Sequence, residues 1–85
     1  MKEGSLRQIG KITHFFDKIN VAVIELDSPV KVGDIIRIRG STTDLEQPIK
    51  EMQVEHKKIE RAGKGEAIGM KVKDKVRVND KVYLI

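Results

Sequence analysis

The chain carries one turn phrase twice, as VKVGDII at residues 30–36 and as VRVNDKV at residues 76–82. In each copy, apolar residues alternate with basic ones until a Gly-Asp or Asn-Asp pair interrupts them. Gly33 and Asn79 are residue types that tolerate a positive φ, and the aspartate after each is a type that bonds to the backbone of a turn. Each phrase therefore predicts a strand, a tight turn and a new strand. This punctuation is typical of an all-β domain with the turns of a small closed barrel.

Composition limits the chain to one small domain. Its 85 residues are 39% hydrophobic and 35% charged, which suits a sheet with one buried and one solvated face. The absence of Cys excludes a disulfide framework, Cys-ligated zinc and thiol catalysis. No apolar run approaches the roughly 20 residues that cross a bilayer, and no signal peptide is evident. We therefore expect a cytoplasmic protein without membrane contact, with a flexible N-terminus at residues 1–6 and a single β-barrel domain at residues 7–85.

Alternation along the strands predicts the core. A first strand is expected over residues 6–14, where Gly10 indicates a bend or a close approach of backbones. Residues 47–59 are expected to form one long strand whose apolar parity slips near residues 50–51 and 57–58, which indicates bulges that curl the sheet. A helix over residues 51–59 is the alternative, and the neighbouring strands disfavour it. The predicted buried side chains are Ile24, Ile36, Ile38, Val54, Ile68, Met70 and Val72.

The residue types that carry chemistry are present, but their spacing does not assemble a catalytic site. The glycines around Lys64 fit neither the P-loop nor the dinucleotide fingerprint and are interpreted as a hairpin turn. His14 and His56 lack spaced partners of ligand type, so no metal site is expected. His56 is interpreted as a half-buried histidine at the barrel end, and His14 as a strand end packed on aromatic rings. Carboxylates are interleaved with Lys and Arg, which favours surface pairing over a catalytic dyad. We expect no enzyme, no catalytic residue, no cofactor and no bound nucleotide.

Positive charge is concentrated in the second half of the chain. Residues 1–46 hold seven basic and seven acidic side chains, whereas residues 47–85 hold ten and six, which places the whole net charge of +4 there. Such asymmetry favours an anionic partner, above all RNA, while a solvated lysine-rich surface is the alternative. Without exposed aromatic side chains, contact with the RNA backbone is expected rather than recognition of bases. The candidate RNA-binding side chains are Arg37, Arg39, Lys57, Lys58, Arg61, Lys64, Lys71 and Lys73.

Several segments resemble the second domain of the translational GTPases. MQVEH at residues 52–56 is followed by AGKGEAIGMKV at residues 62–72. In the GTPase domain, similarly, a strand that ends near a histidine is followed by a glycine-containing hairpin. GKI at residues 10–12 and the first turn phrase resemble the opening turns of the same domain, and the second phrase resembles its closing one. The match covers about residues 7–85 in order. The chain departs from the pattern at Asn79, where glycine is usual, and in having no GTPase domain.

This resemblance implies a fold and a set of functions. The fold would be a six-stranded closed Greek-key barrel of the elongation factor Tu domain II type. The chain is similar to translation elongation factor-like proteins and to the C-terminal barrel of U32 peptidase-family proteins. In elongation factors the domain braces the GTPase domain and contacts tRNA or ribosomal RNA. We therefore expect a free-standing, non-catalytic module that binds RNA, an RNA-handling protein or the translation machinery. The alternatives are a protein-binding accessory subunit or partner of a U32 peptidase-type enzyme, and an enzyme with a site at the barrel mouth.

Overall fold

The computed structural model describes residues 7–85, so the predicted flexible N-terminus at residues 1–6 lies outside the described residues. Ten strands and no helix occur in the described range, which confirms the all-β class. The first five strands are β1 (Arg7–Phe16), β2 (Val21–Leu26), β3 (Val30–Lys31), β4 (Ile35–Arg39) and β5 (Asp44–Pro48). The others are β6 (Met52–Val54), β7 (Lys57–Ile59), β8 (Arg61–Ala62), β9 (Ala67–Lys71) and β10 (Lys81–Leu84).

Eight of these strands form one antiparallel sheet in the order β5-β4-β10-β1-β2-β9-β6-β7, and β3 pairs with β8 in a separate ribbon. The sheet curls strongly into a half-barrel whose edges are β5 and β7. The predicted closed six-stranded barrel is therefore wrong for the described strands. The ribbon links the two sides of the opening, because β3 leads into β4 and β8 follows β7.

The largest error in strand prediction concerns residues 47–59. The chain leaves β5 at Pro48, resumes as β6 and reverses at Glu55–His56, so that Met52 pairs with Ile59 across a hairpin. Both turn residues have positive φ, 51° and 67°, as a two-residue hairpin turn of type I′ requires. Neither one bulged strand nor a helix forms here. His56 is consequently exposed at the hairpin tip rather than half-buried.

The buried residues confirm the core that alternation along the strands predicts. Six of the seven predicted core side chains are buried together, and Val54 is half-buried against them. Ile36 and Ile38, on β4, are fully buried. Gly10 lies where β1 and β2 approach closely, since a Cβ there would overlap the carbonyl oxygen of Glu25. The same core holds in place the two strand segments between which the candidate site lies.

Both turn phrases form the same hydrogen-bonded turn. The Asp34 amide donates to the Lys31 carbonyl at 3.1 Å, and the Lys31 amide donates to Asp34 Oδ2 at 3.0 Å. The equivalent bonds between Asp80 and Arg77 measure 3.0 and 2.9 Å. The residue before each aspartate has positive φ, 101° in the first copy and 78° in the second. The turn is therefore a repeated structure, as the sequence predicts. The strand predicted before it forms only in the first copy, as β3, whereas residues 76–78 form no strand.

The likeness of the two turns extends to their tertiary contacts. In the first, the Gly33 amide donates to the Ile49 carbonyl at 2.9 Å, and the Ile49 amide donates to the Asp34 carbonyl at 2.8 Å. In the second, the Asn79 amide donates to the Ile12 carbonyl, and the Ile12 amide to the carbonyl of the following aspartate, each at 2.8 Å. Each turn is thus clamped to a buried isoleucine of another segment by a reciprocal pair of backbone bonds.

Candidate functional site

A groove of about 750 Å³ lies where β6 and β9 diverge. Residues 69–73, from β9 onward, form one wall, and residues 50–53, which lead into β6, form the other. Residues 19–21, residues 47–48 and Lys58 complete the lining. The groove is therefore built largely from two segments of extended chain.

The pairing between β6 and β9 stops after one bridge in the described chain, Gln53 with Gly69, whereas β9 pairs with β2 along its full length. The Val72 amide donates to the Asn20 carbonyl at 2.9 Å. Because the backbone groups of successive residues point to opposite sides of a strand, the N–H and C=O of Lys71 point away from β2. The backbone of β9 thus presents polar groups to the groove.

One side chain occupies part of this backbone edge. Gln47 Nε2 donates to the Lys71 carbonyl at 3.0 Å, and the Lys73 amide donates to Gln47 Oε1 at 2.9 Å. A carbonyl and an amide two residues apart are the groups that the N–H and C=O of one residue of a neighbouring parallel strand would engage. The Gln47 amide therefore stands in for a missing strand and ties β5 to the chain after β9.

The groove carries positive charge. Four lysines line it: Lys50, Lys58, Lys71 and Lys73. Glu51 is the one carboxylate among the described lining residues, and its Oε1 lies 3.6 Å from Lys58 Nζ. Both side chains of that pair are well exposed, at 70% and 78%, so water screens the attraction and little charge is neutralised. An anionic ligand would meet a favourable potential here.

Three of the eight predicted RNA-binding side chains meet in this groove: Lys58, Lys71 and Lys73. Lys50 joins them and was not among the predicted residues. β5 ends at Pro48, and Lys50 lies in the segment that leads into β6. The sequence analysis missed Lys50 because it predicted one continuous strand over this region. Gln47 was also missed, because its partners are 24 and 26 residues away in sequence.

The other predicted side chains lie elsewhere. Arg37, on β4, holds Asp44 in a two-bond ion pair, with Nε–Oδ1 at 3.0 Å and Nη2–Oδ2 at 3.1 Å. That hydrogen bonding lowers the pKa of Asp44, desolvation opposes it, and the charges of Arg37 and Arg39 lower it further. Arg39 lines a second depression of about 570 Å³ together with Arg77 and Lys81. The remaining three are exposed and line neither depression: Lys57, Arg61 and Lys64.

An exposed aromatic pair lies near the groove. The rings of His14 and Phe16 have centroids 4.2 Å apart and planes inclined at 58°, and Phe16 is 48% exposed. Phe16 lies opposite Val21, which lies opposite Lys71, so the three form a row across β1, β2 and β9. The packing of His14 on an aromatic ring is confirmed. The expectation that exposed aromatic side chains are missing was wrong.

The described residues hold no group of three or more His, Cys, Asp or Glu side chains that could bind a metal ion. Over residues 7–85, every buried side-chain nitrogen or oxygen has a hydrogen-bond partner. No helix in that range is long and apolar enough to cross a membrane. The cytoplasmic location, the absence of enzymatic activity and the absence of nucleotide binding stay predictions.

Comparison with known proteins relates the chain to proteases. No family model matches it. It is 46% identical over 79 residues to an uncharacterized protease of Methanocaldococcus jannaschii, covering 92% of this chain and 19% of that protein. It is 39% identical over 85 residues to a collagenase of Porphyromonas gingivalis, covering 94% of this chain and 20% of the collagenase. The chain spans about a fifth of the length of the curated relatives it matches.

Solved structures define the fold type. The crystal structure of the C-terminal domain of a Geobacillus thermoleovorans protein assigned to the U32 peptidases superposes with a TM-score of 0.86, covering 100% of this chain and 98% of that domain. Its selenomethionine variant gives a TM-score of 0.85. The chain has the fold of a U32 peptidase C-terminal domain. At 15% identity the likeness concerns the fold alone. The resemblance to U32 C-terminal domains is thus supported, and the elongation-factor identity is not.

Proposed function

We propose that this chain is a non-catalytic accessory module of a U32-type protein, a β domain that binds a partner or substrate segment for a catalytic part supplied elsewhere. The supporting observation is the unequal coverage of the match to the archaeal protease, with 46% identity over 92% of this chain but only 19% of the relative. The remaining four-fifths of such a relative would carry the chemistry.

The distribution of titratable groups supports binding rather than catalysis. A general base needs to lie within hydrogen-bond reach of its substrate, in a concave site. His56 is exposed at a hairpin tip and His14 is stacked on Phe16, and neither lines the groove. The groove instead holds four lysines and an incompletely paired strand edge, which are recognition elements.

Exchange of the matching segment in the Porphyromonas collagenase tests this proposal. One version lacks the 85-residue segment that this chain matches, and a second carries this chain in its place. Collagen cleavage should fall in the deletion and return in the exchange, while the isolated chain should cleave nothing. Cleavage by the isolated chain would show that it is an enzyme, and an exchange no better than the deletion would refute the accessory role.

A second candidate function, contact with RNA, is favoured by one observation. The exposed His14–Phe16 ring pair lies in line with the lysine groove, and single-stranded nucleic acids bind to surfaces that combine cations with aromatic platforms. Binding to a single-stranded RNA should then weaken with salt, with a log–log slope of about −0.7 per phosphate contacted. Phe16→Leu should reduce affinity without changing this slope. Absence of binding at low salt would refute this candidate.

A further inference from the structure

We propose that the groove between β6 and β9 binds an extended acidic peptide by β-strand addition, with the peptide pairing to the backbone at residues 71–73. This inference concerns the isolated chain and does not depend on the accessory role. The occupant would be a segment of a partner protein with acidic residues at alternate positions. Its recognition follows from the backbone, the floor and the charge of the groove.

The backbone of the groove is an incompletely paired edge. After the single Gln53–Gly69 bridge, β6 turns away, and the polar groups of Lys71 point into the groove. An exposed strand edge is a template for an added strand, whose main-chain hydrogen bonds supply affinity. The Gln47 side-chain amide already makes two of these bonds, to Lys71 and Lys73. One residue of a ligand strand parallel to β9 would replace it, with its N–H as the donor and its C=O as the acceptor.

Gly69 forms part of the floor of the groove, and the fold would accept a side chain there. A Cβ at Gly69 would lie 3.6 Å from Val21 Cγ1 and 3.7 Å from Gln53 Cγ, which are ordinary contact distances. By contrast, a Cβ at Gly10 would overlap the Glu25 carbonyl oxygen. The fold therefore requires glycine at position 10 but not at position 69. The absence of a side chain at position 69 keeps the floor shallow beside Lys71, and a methyl group there would lie between Val21 and Gln53.

Charge selects the ligand. Lys71 and Lys73 are exposed, while Met70 and Val72 between and beside them are buried, so the two lysines share the outer face. A strand laid beside them would place alternate side chains next to the lysines, where carboxylates would be attracted. Three residues of edge correspond to a paired ligand segment about 10 Å long. Lysines on an edge also discourage pairing between copies of a protein, and the experiment below separates that role from binding.

Fluorescence anisotropy with short labelled peptides tests the proposal. The probe is the heptapeptide Glu-Val-Glu-Val-Glu-Val-Glu, acetylated and amidated at its ends. One control replaces every Glu by Lys, and another carries N-methyl groups on alternate amides, which removes main-chain donors. We expect the acidic probe to bind and both controls to bind at least about tenfold more weakly. Equal affinity for the N-methylated peptide would overturn strand addition, and absence of binding by every peptide would mean that the lysines only protect the edge.

Matched variants locate the site. Lys71→Glu with Lys73→Glu should weaken probe binding about tenfold or more, whereas Lys57→Glu with Lys64→Glu, the same charge change outside the groove, should alter it less than about threefold. Gly69→Ala should weaken binding while leaving the melting temperature unchanged. Equal losses in the two charge variants would reveal only long-range attraction and overturn the assignment. A single-stranded RNA oligonucleotide that binds the groove more tightly than the peptide would also overturn it, in favour of a nucleic-acid site.

Discussion

The two turn phrases have the same backbone but different surroundings for their aspartates. In both, the carboxylate accepts a backbone N–H three residues earlier. The Asp34 side chain is 17% exposed and accepts an ion-pair hydrogen bond from Lys31 Nζ at 2.9 Å. Asp80 is only 6% exposed and lies against Gly40, where a Cβ would overlap its Oδ1. Local sequence therefore determines the turn, and the tertiary environment determines how much stability each turn supplies.

The largest expected effect is at Gly40. Gly40→Ala should destabilise the fold by about 2–3 kcal/mol, because the new methyl group displaces a carboxylate that is buried and held by the Arg77 amide. Gly33→Ala should cost only about 1 kcal/mol, since φ is 101° there but nothing lies within 4 Å of a Cβ. Urea denaturation of both variants measures the difference.

A double-mutant cycle identifies the cause of that difference. In the background of Asp80→Ala, Gly40→Ala should lose about 1 kcal/mol or more of its effect, because the group that it displaces is gone. Additive effects, or a Gly40→Ala variant no less stable than Gly33→Ala, would show that the carboxylate does not set the penalty.

Removal of each aspartate is the next largest contrast. Asp80→Ala should destabilise by about 2 kcal/mol, because it leaves the Arg77 amide without its acceptor in a poorly hydrated site. Asp34→Ala should cost about 1 kcal/mol, since water reaches the first turn more readily. Thermal unfolding of the two variants at neutral pH checks the order. Equal losses would mean that burial of the second aspartate adds nothing to its contribution.

Acid should weaken the first turn in a predictable window. Burial alone would raise the pKa of Asp34, but the hydrogen bonds from the Lys31 ammonium and amide, with the Lys31 charge, lower it below the ordinary 3.8. A carboxylate whose pKa is lower in the folded state stabilises the fold at every pH above its unfolded-state pKa. This stabilisation is lost as the pH falls through the folded-state pKa. Asp34→Asn should therefore lose less stability than the parent as the pH falls below the ordinary aspartate pKa of 3.8.

The Lys31→Gln variant separates the contributions of the Lys31 backbone and side chain to the lowered pKa of Asp34. It keeps the backbone hydrogen bond and removes the charged partner. Its acid dependence should lie between those of the parent and Asp34→Asn. An acid profile of Asp34→Asn that overlays the parent profile would show that Asp34 does not contribute. Asp44, whose pKa is also lowered, remains in all three proteins and supplies a common background.

The features that sequence predicted well are local ones. A glycine or asparagine before aspartate defines each turn, and the alternation around Ile36 and Ile38 defines the buried face. The hairpin at Glu55–His56 was missed because no glycine or asparagine marks the turn, although both residues have positive φ in the β6–β7 hairpin. The half-barrel was missed because long-range contacts, and not the local sequence, decide whether the two edge strands of a sheet pair and close it. The groove itself was not predicted. Three of its lysines, Lys58, Lys71 and Lys73, were selected as candidate RNA-binding side chains, but sequence could not place Lys50 or the long-range Gln47 bridge.

The smallest expected effects come from exchanging the turn residues themselves. Asn79→Gly should change stability by less than about 0.5 kcal/mol, because glycine adopts the φ of 78° freely but gains entropy in the unfolded chain. Gly33→Asn should cost slightly more, about 0.5–1 kcal/mol, since its φ of 101° lies beyond the left-handed region near 57° that asparagine tolerates. Chemical denaturation resolves both values. A loss above about 1 kcal/mol for Asn79→Gly would mean that the Asn79 side chain stabilises the second turn, and the two turns would then differ in their own chemistry as well as in their surroundings.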